Sequence, residues 1–215
     1  INFINALISL IAVALGAGSA GALNMWYESD VDALMKRTCL RPIPTGKITK
    51  NQGLFFGVTT AIFSIILLYL FSNFLSALML TITILFYVVI YTIFLKQRTP
   101  QNIVIGGAAG AFPPIIGWTI ATNTITMEPL FLFLIIFFWT PSHFWALSLY
   151  KIEDYNNAKI PMLPIVSGVQ YTKLNILIYG ILLVLISIIP YFLGYFGLTY
   201  LVTSILLGSY YIYLC

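Results

Sequence analysis

Apolar runs about as long as a lipid bilayer is thick recur along the whole chain, and this repetition limits the folds that it can adopt. A transmembrane helix needs about 20 apolar residues, whereas a strand of a transmembrane barrel needs about half that length and alternates polar with apolar side chains. The runs here are of the first kind, and hydrophobic residues make up 60% of the chain against 7% charged. The sequence therefore predicts an all-α protein, a polytopic transmembrane helical bundle.

We predict about seven membrane spans, separated by polar or proline-containing connections. They cover residues 1–28, 54–71, 74–95, 103–121, 130–149, 174–193 and a last span from 198 onwards. Pro113 and Pro114 are expected to break the fourth span, and Pro141 to kink the fifth. Because the chain begins and ends inside apolar runs, we expect residues 1–215 to be a single transmembrane domain truncated at both ends.

The charges divide the connections into two classes. All ten Lys and Arg residues follow spans one, three and five, and the opposite connections contain none. By the positive-inside rule, the charged connections face the cytoplasm or an equivalent inner compartment. The net charge of +4 is small and confined to these connections, so a nucleic-acid partner is not expected. Cys39 and Cys215, the two cysteines, provide no disulfide framework.

Carboxylates cluster where the first apolar run ends. If the first helix continues through this stretch, Asn24, Glu28 and Asp32 lie at i, i+4 and i+8 and share one face. Such a cluster needs a positive partner, and oxygen ligands with access to water suit Mg2+ or Ca2+ better than zinc. The alternative is a polar helix end whose charges mark the water boundary.

Mg2+ usually binds through one or two carboxylates together with substrate phosphates. Cations that follow the carboxylates are candidates to hold those phosphates. They are Lys36, Arg37, Arg41, Lys47 and Lys50. The stretch is therefore interpreted as a metal–diphosphate site.

A second group of polar residues lies in and after the fifth span. His143 is two residues beyond Pro141, inside an apolar run, where an ionisable side chain is either functional or a neutral, hydrogen-bonded core residue. Glu153 and Asp154 follow at the charged side and are either loop charges or a second acidic group facing the first one across the bundle.

Lys96 and Arg98 are also expected at the inner surface, just before a glycine-rich run. The glycines of residues 106–117 lack the fixed Gly-Lys-Ser/Thr pattern of a phosphate loop, so close helix packing is the expected role.

Four stretches together resemble the protoheme IX farnesyltransferase (heme O synthase) family, a branch of the intramembrane UbiA-type prenyltransferases. These are the Asn-x3-Glu-x-Asp-x-Asp element with the following Lys-Arg-Thr-x2-Arg-Pro, residues 99–114, residues 139–147, and the Glu-Asp-Tyr and Ile-Pro-Met-Leu-Pro segments up to Pro164. Members usually have nine helices, so about seven of nine are expected here. Glu28 stands where the superfamily commonly has Asp, and Tyr150 precedes Asp154 where many relatives have a second Asp.

The resemblance implies an enzyme that transfers a farnesyl group from farnesyl diphosphate to a vinyl group of heme B, with addition of water, to give heme O. It implies Mg2+ as the cofactor, held by Asn24, Glu28, Asp32 and Asp154. The residues expected to act in catalysis are Asp32, Arg37, Arg41, His143 and Lys151. Those expected to bind substrate are Lys36, Lys96, Arg98, Asn102, Trp145 and Tyr155.

His143 lies eleven residues before Asp154, roughly 16 Å along an unbroken helix, so we expect it to orient heme or the attacking water and not to bind metal. The expected location is the bacterial cytoplasmic (inner) membrane, in preference to the mitochondrial inner membrane, with the active site toward the cytoplasm. Downstream heme A synthase or cytochrome oxidase assembly factors are the expected protein partners.

Two other functions compete with this interpretation. A UbiA-type enzyme of a quinone pathway would prenylate a small aromatic acid in the same fold. A membrane transporter would also use polar groups in broken helices, but its ionisable residues would gather near the bilayer midplane. The concentration of charge at one side disfavours the transporter.

Overall fold

The structure, a computed structural model, describes residues 2–215 and is a bundle of long apolar helices with short elements at one end. Helix α1 (Phe3–Tyr27) leads into a single-turn helix α2 (Ser29–Asp32), and α3 (Lys50–Phe71) packs along α1. Gly57 permits this close contact, because a Cβ there would lie 2.7 Å from the Leu23 side chain. Ile1, where the first span was predicted to begin, lies outside the described residues.

Of the third and fourth spans, the fourth is interrupted where the sequence predicts, and the third is continuous but changes its helical form. Helix α4 (Phe74–Leu85) starts at the Asn73 N-cap and continues as a π-helical segment (Phe86–Leu95). The fourth span consists of α5 (Asn102–Ala111) and α6 (Pro113–Thr122), which meet at Phe112. Proline lacks an N–H and is favoured in the first turn of a helix, so Pro113 both ends the α5 hydrogen bonding and starts α6.

The remaining elements complete the bundle. Helix α7 (Met127–Leu149) carries Pro141 in its interior and is followed by two short helices, α8 (Ile152–Asn157) and α9 (Leu163–Val166). Helix α10 (Val169–Phe192) packs on α7, and α11 (Leu198–Leu214) packs on α10. The described residues contain six helical spans long and apolar enough to cross a membrane, and α11 is a shorter apolar helix. The predicted helical membrane bundle is confirmed.

Two apolar cores flank the middle of the bundle. One joins α1, α3, α4, the π-helical segment and α6, with Leu68 and Ile116 almost completely buried. The other joins α5, α7 and α10 to the loops at the charged end, with Trp145 and Ile160 at its centre. The candidate site lies between these cores, at the end of the bundle that carries the Lys and Arg residues.

Candidate active site

Asn24, Glu28 and Asp32 share one buried face at the end of α1, as their spacing predicts. The helix ends at Tyr27, but the i→i−4 hydrogen bonds continue from Glu28 N to Asn24 O (2.9 Å) and from Asp32 N to Glu28 O (2.8 Å). Continuation of these bonds keeps the three side chains in register despite the local change of backbone angles at Glu28. All three are less than a tenth exposed.

The buried Glu28 carboxylate is held by two donors on one of its oxygens. Lys96 Nζ forms an ion pair with Glu28 Oε2, and Asn24 Nδ2 donates to the same oxygen at 2.8 Å. Asn24 Nδ2 also donates to Thr92 Oγ1 at 3.2 Å. The second oxygen, Glu28 Oε1, is buried without a hydrogen-bond partner among the described residues. Burying a carboxylate oxygen without a partner costs free energy, so a hydrogen-bond donor or a cation at this atom would be stabilising.

Asp32 has its own cation. Arg41 Nη1 donates to Asp32 Oδ2 at 2.7 Å, and Thr38 Oγ1 donates to the Asp32 main-chain carbonyl at 2.9 Å. These contacts fold the basic loop that follows α2 back over the carboxylates. The third acid of the stretch, Asp30, is exposed and pairs with Lys50, so it lies away from the buried pair.

Asn102 fixes the turn that carries Lys96. Its Nδ2 donates to the carbonyl oxygens of Lys96 (3.2 Å) and Thr99 (2.7 Å), which closes the chain between the π-helical segment and α5. The side chain is completely buried, and its Oδ1 has no hydrogen-bond partner among residues 2–215. The wider π-helical turn, a form often found at functional sites, ends immediately before Lys96.

A central cavity of about 330 Å³ opens between these groups and runs into the bundle. Its charged end is lined by polar side chains from four segments: Asn24, Asp32, Arg37, Arg41, Lys96 and Asn102. Its interior is lined by aromatic, aliphatic and glycine residues: Tyr87, Tyr91, Ile103, Gly106, Gly107, Gly110, Ile136, Trp139, Thr140, Phe144, Tyr155, Ile160 and Met162, with Val31 and Met35 near the mouth. The cavity therefore joins a cation-rich end to an apolar interior.

The glycine-rich run serves helix packing, as expected, at two of its positions. A Cβ on Gly107 would lie 2.9 Å from Thr140 Cγ2, and one on Gly106 would collide with the Tyr91 ring. These contacts bring α5 against α7 and the π-helical segment.

A second, more open cavity lies beside the first at the same end. It is lined by Lys36, Arg37, Lys151, Glu153 and Asp154, together with neighbouring main chain and apolar groups. Arg37 lines both cavities and so connects them. Asp154 is buried, yet Glu28, Asp32 and Asp154 do not converge as a group of three potential metal ligands in residues 2–215.

Tyr155 lies between the two regions. Its side chain is buried and lines the central cavity. Burial raises the pKa of the Tyr155 phenol, the nearby Arg37 guanidinium opposes this shift, and the Asp154 carboxylate adds to it. The phenol is therefore a neutral hydrogen-bonding group at ordinary pH.

Three of the predicted site residues, Trp145, Arg98 and His143, line neither the central cavity nor the cavity beside it. Trp145 is 1% exposed and packs edge-on against Tyr179 in the core between α7 and α10. Arg98 is exposed, with its guanidinium 5.4 Å from the centre of the Phe94 ring. For these two side chains the substrate contact stays a prediction.

His143 is exposed on the side of α7 away from the carboxylates, in a separate cavity next to α10 and α11. Its ring stacks on Trp139 with centroids 4.4 Å apart, and Trp139 lines the central cavity. The histidine is therefore one side chain removed from the cavity.

The aromatic wall formed by Tyr87, Tyr91 and Trp139 was not singled out from the sequence. Tyr87 and Tyr91 are spaced by four in an otherwise apolar span, which places two hydroxyl-bearing rings on one helical face. This spacing is the feature of the sequence that could have identified the two tyrosines. Aromatic residues are common at membrane interfaces, so composition alone did not distinguish these two from the other aromatic residues of the chain.

The donor set suits a hard divalent cation. Asn24, Glu28 and Asp32 are buried residues that offer oxygen ligands on one helix face, and the unpaired Glu28 Oε1 is the atom that such a cation would satisfy. Arg41, Lys96 and Arg37 provide donors for phosphate oxygens at the same end.

Comparison with known proteins agrees with this geometry. The family model described as "UbiA prenyltransferase family" matches residues 1–215. The chain belongs to this family. Similar curated proteins are the protoheme IX farnesyltransferases of Pelagibacter ubique (62% identity over 98% of this chain and 70% of that protein) and Afipia carboxidovorans (54%, over 94% and 64%). That of Brucella ovis is 54% identical over 99% of this chain and 68% of that protein.

The predicted resemblance is thereby confirmed, and the chain spans 64% to 70% of the length of these three relatives. Solved structures share the fold at low identity. A UbiA homologue from Archaeoglobus fulgidus bound to DMAPP and Mg2+ superposes with a TM-score of 0.78 at 16% identity, over 98% of this chain and 74% of the other. A structure described as that of digeranylgeranylglyceryl phosphate synthase gives 0.77 at 22% identity, over 99% and 74%.

Proposed function

We propose that this protein transfers the farnesyl group of farnesyl diphosphate to a vinyl group of heme B, with addition of water, to give heme O. The observation that carries the proposal is the central cavity, which joins the buried Asp32 carboxylate and three cations at one end to an aromatic, apolar interior. A prenyl diphosphate has the same division between a charged head and an apolar chain. Relatives named protoheme IX farnesyltransferase, 54–62% identical, support heme as acceptor over a quinone precursor.

The cations at the charged end would bind the diphosphate. Arg41 and Lys96 are held in place by Asp32 and Glu28, so their donors are already positioned when the substrate enters. Arg37, which lines both cavities, faces the same space without an ion pair among the described residues. Charge-assisted hydrogen bonds from these groups favour departure of the diphosphate, because negative charge develops on it as the bond breaks.

Asn24, Glu28 and Asp32 would hold Mg2+. Asp154 lines the neighbouring cavity and does not converge with the other two carboxylates among residues 2–215, so it is left out of this ligand set. The unpaired Glu28 Oε1 supports this assignment. Bound Mg2+ would supply charge neutralisation for the diphosphate.

The bond between C1 of the farnesyl chain and the diphosphate oxygen breaks, and the diphosphate keeps the electron pair. The terminal carbon of the heme vinyl group then forms a bond to C1, which leaves positive charge on the vinyl carbon next to the porphyrin ring. Water adds to that carbon and loses a proton, giving the hydroxyethylfarnesyl side chain.

The interior of the cavity suits the cationic stage of this reaction. Tyr87, Tyr91 and Trp139 line this interior, and aromatic faces attract cations. The aromatic wall would also limit the access of water before the new carbon–carbon bond forms. Asn102, whose Oδ1 is unpaired, and Tyr155 are the polar groups that would orient the acceptor.

The proposal is tested by expressing the full-length protein that contains this chain in membranes with heme B and farnesyl diphosphate. Extracted hemes are then analysed by mass spectrometry. We expect a heme that has gained a farnesyl group and one hydroxyl group, and no such product from a variant that carries Asp32→Asn. Prenylation of an aromatic acid with no change in heme would contradict the proposal and identify the quinone-pathway alternative.

We also propose that the charged end faces the cytoplasm of a bacterial inner membrane. All ten Lys and Arg residues lie in the connections at this end or, for Lys50 and Lys173, near the start of the helix that follows. In a background where Cys39 and Cys215 are replaced by Ser, single cysteines at Gln97 and Asn157 should react with an impermeant reagent from the cytoplasmic side. A cysteine at Asn123 should react from the other side, and any mixed pattern would contradict the orientation.

A further inference from the structure

A further cavity lies deeper in the bundle than the groups that face the diphosphate. It has a volume of about 270 Å³ and lies between α1, α4, α5 and α6. Its walls include Val13, Ala17, Leu80, Ile84 and Ile116. Thr83, a polar side chain in this lining, already donates to the Met79 carbonyl at 2.7 Å. This apolar cavity therefore suits a hydrocarbon, because the Thr83 hydroxyl already has a hydrogen-bond partner.

The apolar cavity adjoins the central cavity. Tyr87 and Gly110 line both, so the two spaces meet at these residues. Together they form one path from the charged end of the bundle into its interior. Along α1 the apolar cavity extends as far as Val13, eleven residues before Asn24 and roughly 16 Å from it at 1.5 Å per residue.

Two glycines keep this path open. A Cβ on Gly110 or Gly21 would have no heavy atom within 4 Å, and both residues line the apolar cavity. Gly106 and Gly107, in contrast, are in close contact with neighbouring side chains. Close helix packing therefore accounts for Gly106 and Gly107 but not for Gly21 and Gly110, where the absence of a side chain leaves room.

We infer that the apolar cavity receives the distal isoprene units of the prenyl diphosphate, and that Gly21 and Gly110 set the longest chain the protein accepts. The inference rests on the proposed function, because it requires a prenyl diphosphate whose head lies at the charged end. Continuity with that end identifies the occupant as the substrate's own chain, since a chain anchored at Arg41 and Lys96 has this path ahead of it.

The test compares binding of farnesyl and dimethylallyl diphosphate, in the presence of Mg2+, to the purified full-length protein. Gly110→Leu and Gly21→Leu place a branched side chain in the path from opposite walls. Each should weaken farnesyl diphosphate binding at least about tenfold, while the affinity for dimethylallyl diphosphate stays within about twofold. Retained binding of the short substrate also shows that the variant is folded.

Gly18→Leu is the matched control. Gly18 lies on the same helix as Gly21 and is exposed. Among residues 2–215, a Cβ on Gly18 would have no heavy atom within 4 Å, and Gly18 lines none of the four cavities described above. The same substitution there should leave both affinities unchanged.

The inference is overturned if both leucine variants keep the wild-type ratio of the two affinities, or if both lose dimethylallyl diphosphate as strongly as farnesyl diphosphate. A wild-type protein that does not prefer the longer chain would also overturn it. Failure of the proposed function has a different signature. In that case the chain-length preference and its loss are observed, but heme B is not converted.

Discussion

Removal of the Lys96 ammonium should destabilise the protein by leaving Glu28 as an unpaired buried charge. Glu28 is 1% exposed, and after Lys96→Met its one remaining donor in the structure would be Asn24 Nδ2. Loss of one partner of a buried ion pair costs about 3–5 kcal/mol. We expect about 3 kcal/mol here, at the lower end, because the Lys96 side chain is 20% exposed and its pair is not fully desolvated.

This cost corresponds to a fall in the unfolding temperature of about 6–12 °C for a chain of this size. It is measured by thermal unfolding of the detergent-solubilised protein without Mg2+ or substrate. Arg98→Met is the matched control, because Arg98 is an exposed cation two residues away, and it should cost less than about 1 kcal/mol. A second substitution, Glu28→Gln, removes the stranded charge and should bring Lys96→Met within about 1 kcal/mol of wild type.

Two results would refute this reasoning. If Lys96→Met unfolds at the wild-type temperature, the ion pair does not contribute to the folded state. If the double variant is as unstable as Lys96→Met alone, the loss comes from another role of the lysine side chain and not from the unpaired carboxylate.

Three further predictions concern the site. Asp32→Asn should lower prenyl transfer at least about a hundredfold at saturating Mg2+. The control Asp30→Asn, which changes an exposed acid, should leave the rate near wild type. Equal effects of the two substitutions in initial-rate assays would contradict the assignment of Asp32 to the site. Arg41→Ala should weaken farnesyl diphosphate binding about tenfold to a hundredfold with heme binding unchanged, as measured by titration, and an equal loss of both would indicate misfolding. His143→Ala should lower heme O formation, because the Trp139 ring loses the side chain on which it stacks. The affinity for Mg2+ should not change. A parallel loss of Mg2+ affinity would show that the histidine is closer to the metal than its position indicates.

Much of the fold could be predicted from the sequence because membrane spans are encoded by local composition. The connection at Ser72 and Asn73 and the break before Pro113 occur where they were predicted. The π-helical form of residues 86–95 was not predicted, since nothing in an apolar run distinguishes a π-helical from an α-helical turn. Helix starts were also displaced: α3 begins at Lys50, in a capping box made by Thr49 and Gln52, four residues before the predicted start.

The candidate site was predicted less completely, because its contacts join distant parts of the chain. Trp145 belongs to a sequence stretch typical of the family, yet the direction of its side chain depends on how α7 packs against α10. Asn102 was predicted to bind substrate, and the structure gives it a second task in holding the turn of Lys96. Helical spacing located Asn24, Glu28 and Asp32 on one face because that relation is local.

The sequence predicts that the buried carboxylates need cations beside them, but it does not identify which cations these are. Acidic groups at the end of an apolar helix require positive charge, and the structure supplies it from Arg41 to Asp32 and, across 68 residues of sequence, from Lys96 to Glu28. The requirement follows from desolvation, but the identity of the cation does not, because metal and ammonium satisfy the same electrostatic demand. The structure assigns the two kinds of cation to different oxygens. Lys96 and Asn24 both contact Glu28 Oε2, so Glu28 Oε1 is left to bind a further cation at the diphosphate end of the cavity.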